Sequence, residues 1–240
     1  IIYSYIMTKR IVVFDMDGTL GYFSQLSILF KSIEIFLNKK LKKSNFNSIM
    51  KLCDDCLRPD ICGIFNYLTR QKELGKIDKI CIYTNNQGPK LWTTRIKNYL
   101  QTRCNGLIFD NVICAFMVNG EIIEKMRTTN SKTYDDLVKC TKMPRDTQVC
   151  FIDDQKHRYM DHENVYYIHV KPYVYSLSLN ELFSRFLNSS IIRFDKTLFV
   201  NYLNAIFLRN INYEHESKRQ DEKDIDIIAS KQMLKLIRDF

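Results

Sequence analysis

Two carboxylates one residue apart, Asp15 and Asp17, stand at the end of a short apolar run, and this feature most narrows what the chain can fold into. Lys9 to Phe14 has the β-branched and aromatic make-up of a buried strand and stops abruptly at Asp-Met-Asp-Gly-Thr. Three more runs of this kind follow. Ile77 to Tyr83 stops at Thr84-Asn85-Asn86-Gln87-Gly88, Val149 to Ile152 stops at Asp153-Asp154, and Val165 to Val170 is the fourth. Such strands alternate with helical stretches, which predicts an α/β fold, a parallel sheet with helices on both faces. Ligands of these sheets bind in the crevice beyond the carboxyl ends of the strands, where the paired acids fall.

The intervening segments read as helices. From Phe23 to about Cys56, Leu26, Leu29, Phe30, Ile33 and Phe36 share one helix face, and the basic stretch Lys39 to Lys43 divides the region in two. Pro59 suits the first turn of a helix running to Lys72 with Ile61, Ile64, Phe65 and Leu68 inward. Pro89 opens another through Leu100, Ser131 caps one running to Cys140, and Leu179 to Leu187 is short. Asn119-Gly120 predicts a hairpin between Asn111 to Met117 and Glu121 to Glu124. After Asn188 come an apolar helix at Thr197 to Leu208, a polar stretch at Asn212 to Asp224, and a helix at Ile225 to Ile237. The expected organisation is a domain at 7–188, with the 23–56 helices as an insert and candidate cap, and a helical C-terminal extension at 189–240 joined by a flexible segment.

The 240 residues suffice for a sizeable core, and no run approaches the roughly 20 apolar residues of a membrane span. Ile1 to Met7 is apolar but lacks a basic leader and a small-residue cleavage site, so no secretory signal is expected, and Met7 reads as the start. Thirty-six Lys and Arg against 27 Asp and Glu leave +9, which suits phosphorylated peptides, nucleic acid or acidic membrane surfaces, or simply a solvated basic surface. The eight cysteines are scattered, several within apolar runs, which predicts reduced buried thiols and an intracellular protein of cytoplasm or nucleus, with no membrane anchor. Cys53-x₂-Cys56-x₅-Cys62 offers three thiols without the fourth ligand a tetrahedral zinc needs. His157, His162 and His169 lack ligand spacing and are assigned to packing or surface roles, and Trp92 to the core.

The loops carry the chemistry. Asp15 and Asp17 at one strand end repel each other, and a divalent cation relieves the repulsion. Mg²⁺ fits because it prefers hard oxygen ligands and shares them with phosphate. A plain Asx turn is the alternative, but it does not require two acids. The Thr84 hydroxyl and the amides after it, from Asn85 on, can grip phosphate oxygens at the positive end of the helix near Pro89, although Asn and Gly there also mark an ordinary turn. Lys132 at a helix start opposes the helix dipole at a cost of about 0.3–1 kcal/mol, which points to a bound anion. A solvated lysine is the plain alternative, and Arg127 is a rival cation. One of Asp153 and Asp154 would complete a metal site while the other orients the lysine or a water.

Taken in order, Asp-x-Asp-Gly-Thr, the strand ending in Thr84, the helix-start Lys132 and the strand ending in Asp153-Asp154 resemble the four-motif pattern of the haloacid dehalogenase (HAD) superfamily across residues 9–154. The resemblance implies a Rossmann-like fold and Mg²⁺-dependent phosphoryl transfer through an aspartyl-phosphate. It makes Asp15 the nucleophile and Asp17 the proton donor that later activates water. Thr84, Asn85 and Lys132 hold the phosphoryl group, and Asp153 or Asp154 binds metal with Asp15 and the Asp17 carbonyl. The physics agrees: a carboxylate attacks a dianionic phosphate poorly unless cations cancel charge on both, and the acid must start protonated. Within the superfamily, Leu57-Arg58-Pro59-Asp60, Phe65-Asn66-Tyr67-Leu68 and the close from Val149 to Phe186 are similar to the NIF-like phosphatases, which include small phosphatases of the RNA polymerase II C-terminal domain. The chain differs from them in having Asp-Met-Asp-Gly-Thr for Asp-Leu-Asp-Glu-Thr and helices at 23–56 in place of a short strand insert. The expected activity is hydrolysis of phosphoserine or phosphothreonine in a protein. The alternatives are a polynucleotide 3′-phosphatase, suggested by Thr84-Asn85 with Gln87-Gly88 and the basic charge, and a binding module that has lost turnover.

Overall fold

The computed structural model describes residues 8–188, 196–209 and 218–240. Its strands are β1 (Arg10–Phe14), β2 (Lys79–Tyr83), β3 (Asn111–Ile113), β4 (Met117–Val118), β5 (Glu121–Ile122), β6 (Gln148–Asp153) and β7 (Val165–His169). Its helices are α1 (Ser24–Phe36), α2 (Lys43–Leu52), α3 (Ile61–Glu73), α4 (Lys90–Arg103), α5 (Tyr134–Thr141), α6 (Leu179–Leu187), α7 (Lys196–Arg209) and α8 (Gln220–Asp239). Five strands form one parallel sheet in the order β3-β2-β1-β6-β7, while β4 and β5 pair as a separate antiparallel hairpin. The chain leaves β1 for β2 on one side and returns to β6 on the other. The crevice at the carboxyl ends of β1 and β6 is therefore the switch point of a Rossmann-like α/β sheet.

Strand pleating sorts the side chains onto two faces. Val12, Phe14, Ile80, Ile82, Cys150 and Ile152 point into the larger core, against α1 to α4 and α6 to α8. Ile11, Val13, Cys81, Tyr83, Val149 and Phe151 point the other way, where α5 covers them with Leu137 and Val138. Helices cover both faces, as the pattern predicts, but among the described residues seven α-helices lie on one side and one on the other. The 23–56 helices contribute Leu29, Ile33, Phe46 and Ile49 to the larger core. So does the C-terminal region: Phe199, Leu203 and Phe207 of α7 and Met233 and Ile237 of α8 are buried in the same cluster, and Phe36 meets Phe199 edge-on at 5.0 Å. Residues 1–7, 189–195 and 210–217 lie outside the described residues, and with them the expected flexible segment and most of the polar stretch at Asn212 to Asp224, whose last residues from Gln220 on form the start of α8, ahead of the Ile225 expected. Among the described residues no helix is long and apolar enough to cross a membrane.

Four local expectations need correction. Asn111 to Met117 is not one hairpin strand: β3 joins the sheet beside β2 and ends at Ile113, the Cys114 carbonyl accepts from Arg127 Nη1 at 2.8 Å, and the chain bends at Phe116 before β4. The hairpin retains the turn the sequence predicts, with Asn119 and Gly120 at φ 50° and 83°. Thr133, not Ser131, caps α5, its hydroxyl accepting the Asp136 amide at 3.0 Å. Pro59 lies just ahead of α3, whose N-cap is Asp60. The thiols are not all reduced: Cys62 on α3 is bonded to Cys104 at the end of α4, their Cα atoms 5.0 Å apart, within bridging reach. Two cysteines 42 residues apart in sequence carry no local sign that their helices meet.

Candidate active site

The pleat that builds the cores also sorts the acids. Asp15 continues β1 by donating its amide to the Ile152 carbonyl at 2.9 Å, so its side chain follows Ile11 and Val13 toward the α5 face. Asp153 follows Val149 and Phe151 on the neighbouring strand and reaches the same face. Lys132, just before α5, enters between them. Its ammonium pairs with Asp15 Oδ1 and, at 2.7 Å, with Asp153 Oδ2, and it lies 5.7 Å from the ring centres of both Tyr83 and Phe151. Lys132 is 1% exposed, and a lysine that deeply buried requires such partners.

Asp154 takes the opposite face and folds over the loop after β1. Thr19 Oγ1 donates to Asp154 Oδ1 at 3.1 Å and accepts the Asp154 amide at 3.1 Å. Gly18 permits this approach: its φ is +78°, and a Cβ there would stand 2.6 Å from Asp154 Oδ2. Asp17 accepts from Asn86 Nδ2 at 2.7 Å, and Asn86 is itself fixed by the Gly88 amide on its Oδ1 at 2.8 Å. Thr84 directly follows β2, its hydroxyl accepting the Asn86 amide at 3.1 Å, which leaves the hydroxyl proton for a ligand. A cavity of about 160 Å³ is bounded by Asp15, Asp17, Thr84, Asn85, Lys132 and Asp153.

The expected site residues thus converge from four separate segments. Ligand oxygens of Asp15, Asp153 and Asp154 lie within 4.8 Å of one another, a grouping that can hold a cation; the Asp17 carboxylate stands outside it, on Asn86. The hydrogen bonds divide the acids further. Asp153 uses both oxygens, on the Gln155 amide at 2.8 Å and on Lys132 and His157, whereas Asp15 and Asp154 each keep one oxygen clear of donors among the described residues. Asp154 with Asp15 therefore suits a metal, and Asp153 orients the lysine. An all-carboxylate donor set fits a hard cation.

The electrostatics follow from burial. Burial pushes the Asp15 carboxyl up to about 7 against the opposing charge of Lys132, with Asp153 adding to the rise. Burial also raises Asp17, against its bond from Asn86, and raises Asp154, with Asp153 adding. Burial acts the same way on Asp153, but the bond from His157 and the charge of Lys132 outweigh it and hold that carboxyl below the usual range.

Arg127, the rival cation, does not line the cavity. Its guanidinium lies behind it, donating to Asn85 Oδ1 and the Cys114 carbonyl at 2.8 Å and to the Ser131 carbonyl at 3.0 Å, so it ties the loop after β2 to the segment carrying Lys132. Sequence reasoning missed the roles of three residues. His157, assigned to packing or surface, holds Asp153 at 3.1 Å and borders the cavity; its place four residues beyond Asp153 was the available sign. Asn86 read as turn chemistry. Arg58 is 1% exposed and grips the carbonyls of Gly18 at 2.7 Å and Thr19 at 2.5 Å, fixing the loop from a position 40 residues away with no local signal. No protein-family model, curated protein or solved structure matches this chain.

Proposed function

We propose that the chain is a Mg²⁺-dependent phosphatase of the HAD type, hydrolysing a phosphomonoester through a phosphorylated Asp15, with phosphoserine or phosphothreonine in a protein as the substrate. The observation that carries this reading is the meeting of Asp15, Asp17, Thr84 and Lys132 around one cavity, with Asp154 beside Asp15. At about 160 Å³ the cavity is smaller than the roughly 300–1,000 Å³ of pockets that enclose a whole small molecule, which suits a phosphoryl group presented by a larger substrate.

An oxygen of Asp15 attacks phosphorus, the bond from phosphorus to the ester oxygen breaks, and Asp17 gives its proton to that departing oxygen. Lys132 has three donors, two engaged by Asp15 and Asp153, and offers the third to the phosphoryl oxygens together with the Thr84 hydroxyl. In the second half Asp17, now a carboxylate, takes a proton from water as its oxygen attacks phosphorus. The bond between phosphorus and Asp15 breaks, and inorganic phosphate leaves. Mg²⁺, held by Asp15 and Asp154 with the Asp17 carbonyl, would supply charge neutralisation on the nucleophile and the phosphate. Asp15→Asn should abolish release of p-nitrophenol from p-nitrophenyl phosphate while circular dichroism and melting temperature show an intact fold. Undiminished turnover in that variant refutes the mechanism.

A further inference from the structure

The basic stretch Lys39 to Lys43 has no part in this chemistry, yet its first two residues, Lys39 and Lys40, stand at the far end of a groove that starts at the acid cluster. The 160 Å³ cavity shares Asp17 and Asn86 with a hollow of about 430 Å³ between α1 and the start of α4, floored by Phe30 and Trp92 and edged by Lys31 and Leu91. That hollow shares Lys31, Glu34 and Lys40 with a third of about 490 Å³, which ends at Asn38 and Lys39. The groove follows α1 from Ser24 to Ile35, about 16 Å at the helical rise. An extended peptide covers that length in about five residues.

The groove is cationic. Lys31 and Lys39 are exposed and have no carboxylate partner among the described residues. Glu34 serves both Lys40, at 3.0 Å, and Arg95, at 3.4 Å, so beyond Asp17 at the cavity end one carboxylate stands against four cations. Its aromatic floor offers nothing for a nucleobase to stack on: Phe23, Phe30 and Trp92 are 1%, 3% and 9% exposed. What it exposes is aliphatic, Leu91 and Ile35.

We infer that this groove binds acidic residues within about five positions of the phosphorylated residue, so that the substrate class is an acidic phosphopeptide; the inference rests on the phosphatase reading of the adjoining cavity. The test uses the full chain with fluorescein-labelled phosphoserine peptides of one length whose flanks are acidic, neutral or basic. Fluorescence anisotropy reads binding, and phosphate release reads turnover. The acidic peptide should bind and turn over about tenfold better than the basic one, with the advantage shrinking as salt is added. In Lys31→Glu/Lys39→Glu, with folding checked by thermal melting, the acidic-to-neutral ratio should fall about fivefold. Equal handling of the three peptides, an unchanged ratio in the double variant, or tighter binding of a single-stranded oligonucleotide of equal charge overturns the inference. An acidic peptide that binds in a Lys31- and Lys39-dependent manner without being hydrolysed upholds the groove and overturns the phosphatase reading, whereas hydrolysis of all three without preference does the reverse.

Discussion

Replacing Arg58 by methionine tests whether the loop carrying Asp17, Gly18 and Thr19 is held from beneath by one guanidinium. Methionine fills a similar volume and donates nothing. Arg58 Nε gives its bond to the Thr19 carbonyl at 2.5 Å, and Nη2 bonds the Gly18 and Lys171 carbonyls at 2.7 Å each. Gly18 keeps the Tyr173 amide at 2.8 Å, so two acceptors, Thr19 and Lys171, lose their only donor among the described residues. Thr19 is buried, and an acceptor left there without a donor costs about 1–3 kcal/mol, whereas Lys171 is exposed and water replaces its lost donor; the bond lost from Gly18 adds about 1 kcal/mol. Against this, Arg58 Nη1 is itself buried without a partner, and removing it returns about 1–3 kcal/mol. The net loss is about 1 kcal/mol, equivalent to a fall in Tm of roughly 2–4 °C for a chain of this size. Urea unfolding followed by circular dichroism measures the first quantity and a thermal scan the second. Arg58→Lys keeps the charge but cannot span three carbonyls, so its stability should fall between the two. If methionine costs less than about 0.5 kcal/mol, or lysine matches arginine, the loop is held by something other than the fork.

Two further outcomes concern parts of the fold away from the site. Cys62→Ser should lower stability by about 2–4 kcal/mol, because the bond to Cys104 closes a 42-residue separation. Dithiothreitol should produce the same loss in the parent chain and none in the variant, and a parent Tm insensitive to reductant would contradict the bridge. Asp78 accepts Lys9 Nζ at 2.7 Å and the Arg10 amide at 2.8 Å, and although burial pushes its carboxyl up, these partners outweigh it and hold it below the usual range. A carboxyl lowered in the folded state contributes stability above its unfolded value, about 3.9, and loses it as pH falls through the folded value. Acid unfolding of the parent should therefore steepen below about pH 4, and Asp78→Asn should flatten that limb. Identical slopes by intrinsic fluorescence would remove Asp78 from the account.

What could be read in the chain was what a local run encodes. Val12 and Phe14 alternate with Ile11 and Val13, so β1 announces a strand buried on two faces, and the same holds for β2 and β6. The loops closing those strands were legible for the same reason, since a carboxylate or hydroxyl directly after a buried run has few places to go. Pairings between distant segments were not legible. Nothing near Cys62 points to Cys104, and nothing near Arg58 points to Gly18, because both meetings depend on how α3 packs against the rest. Cys114 shows the intermediate case: the run from Asn111 looks continuous to Met117, yet the strand ends at Ile113, and the Arg127 guanidinium that takes the Cys114 carbonyl comes from 13 residues further on.

The two acids at the end of β6 show how one missing fact kept two roles unassigned. Read along the chain, Asp153 and Asp154 are equivalent, either able to meet a cation. Pleating makes them opposite, because consecutive residues at a strand end face different sides. Asp153 shares the side of Phe151, and Asp15, in register on the neighbouring strand, shares the side of Val13. The undetermined quantity was which side α5 covers. Once α5 packs on Tyr83 and Phe151, Lys132 at its entrance can reach only Asp15 and Asp153. Asp154 is left to the loop, where Thr19 and the absent side chain of Gly18 receive it. The division of labour between lysine orienter and candidate metal ligand thus follows from strand parity plus the placement of one helix.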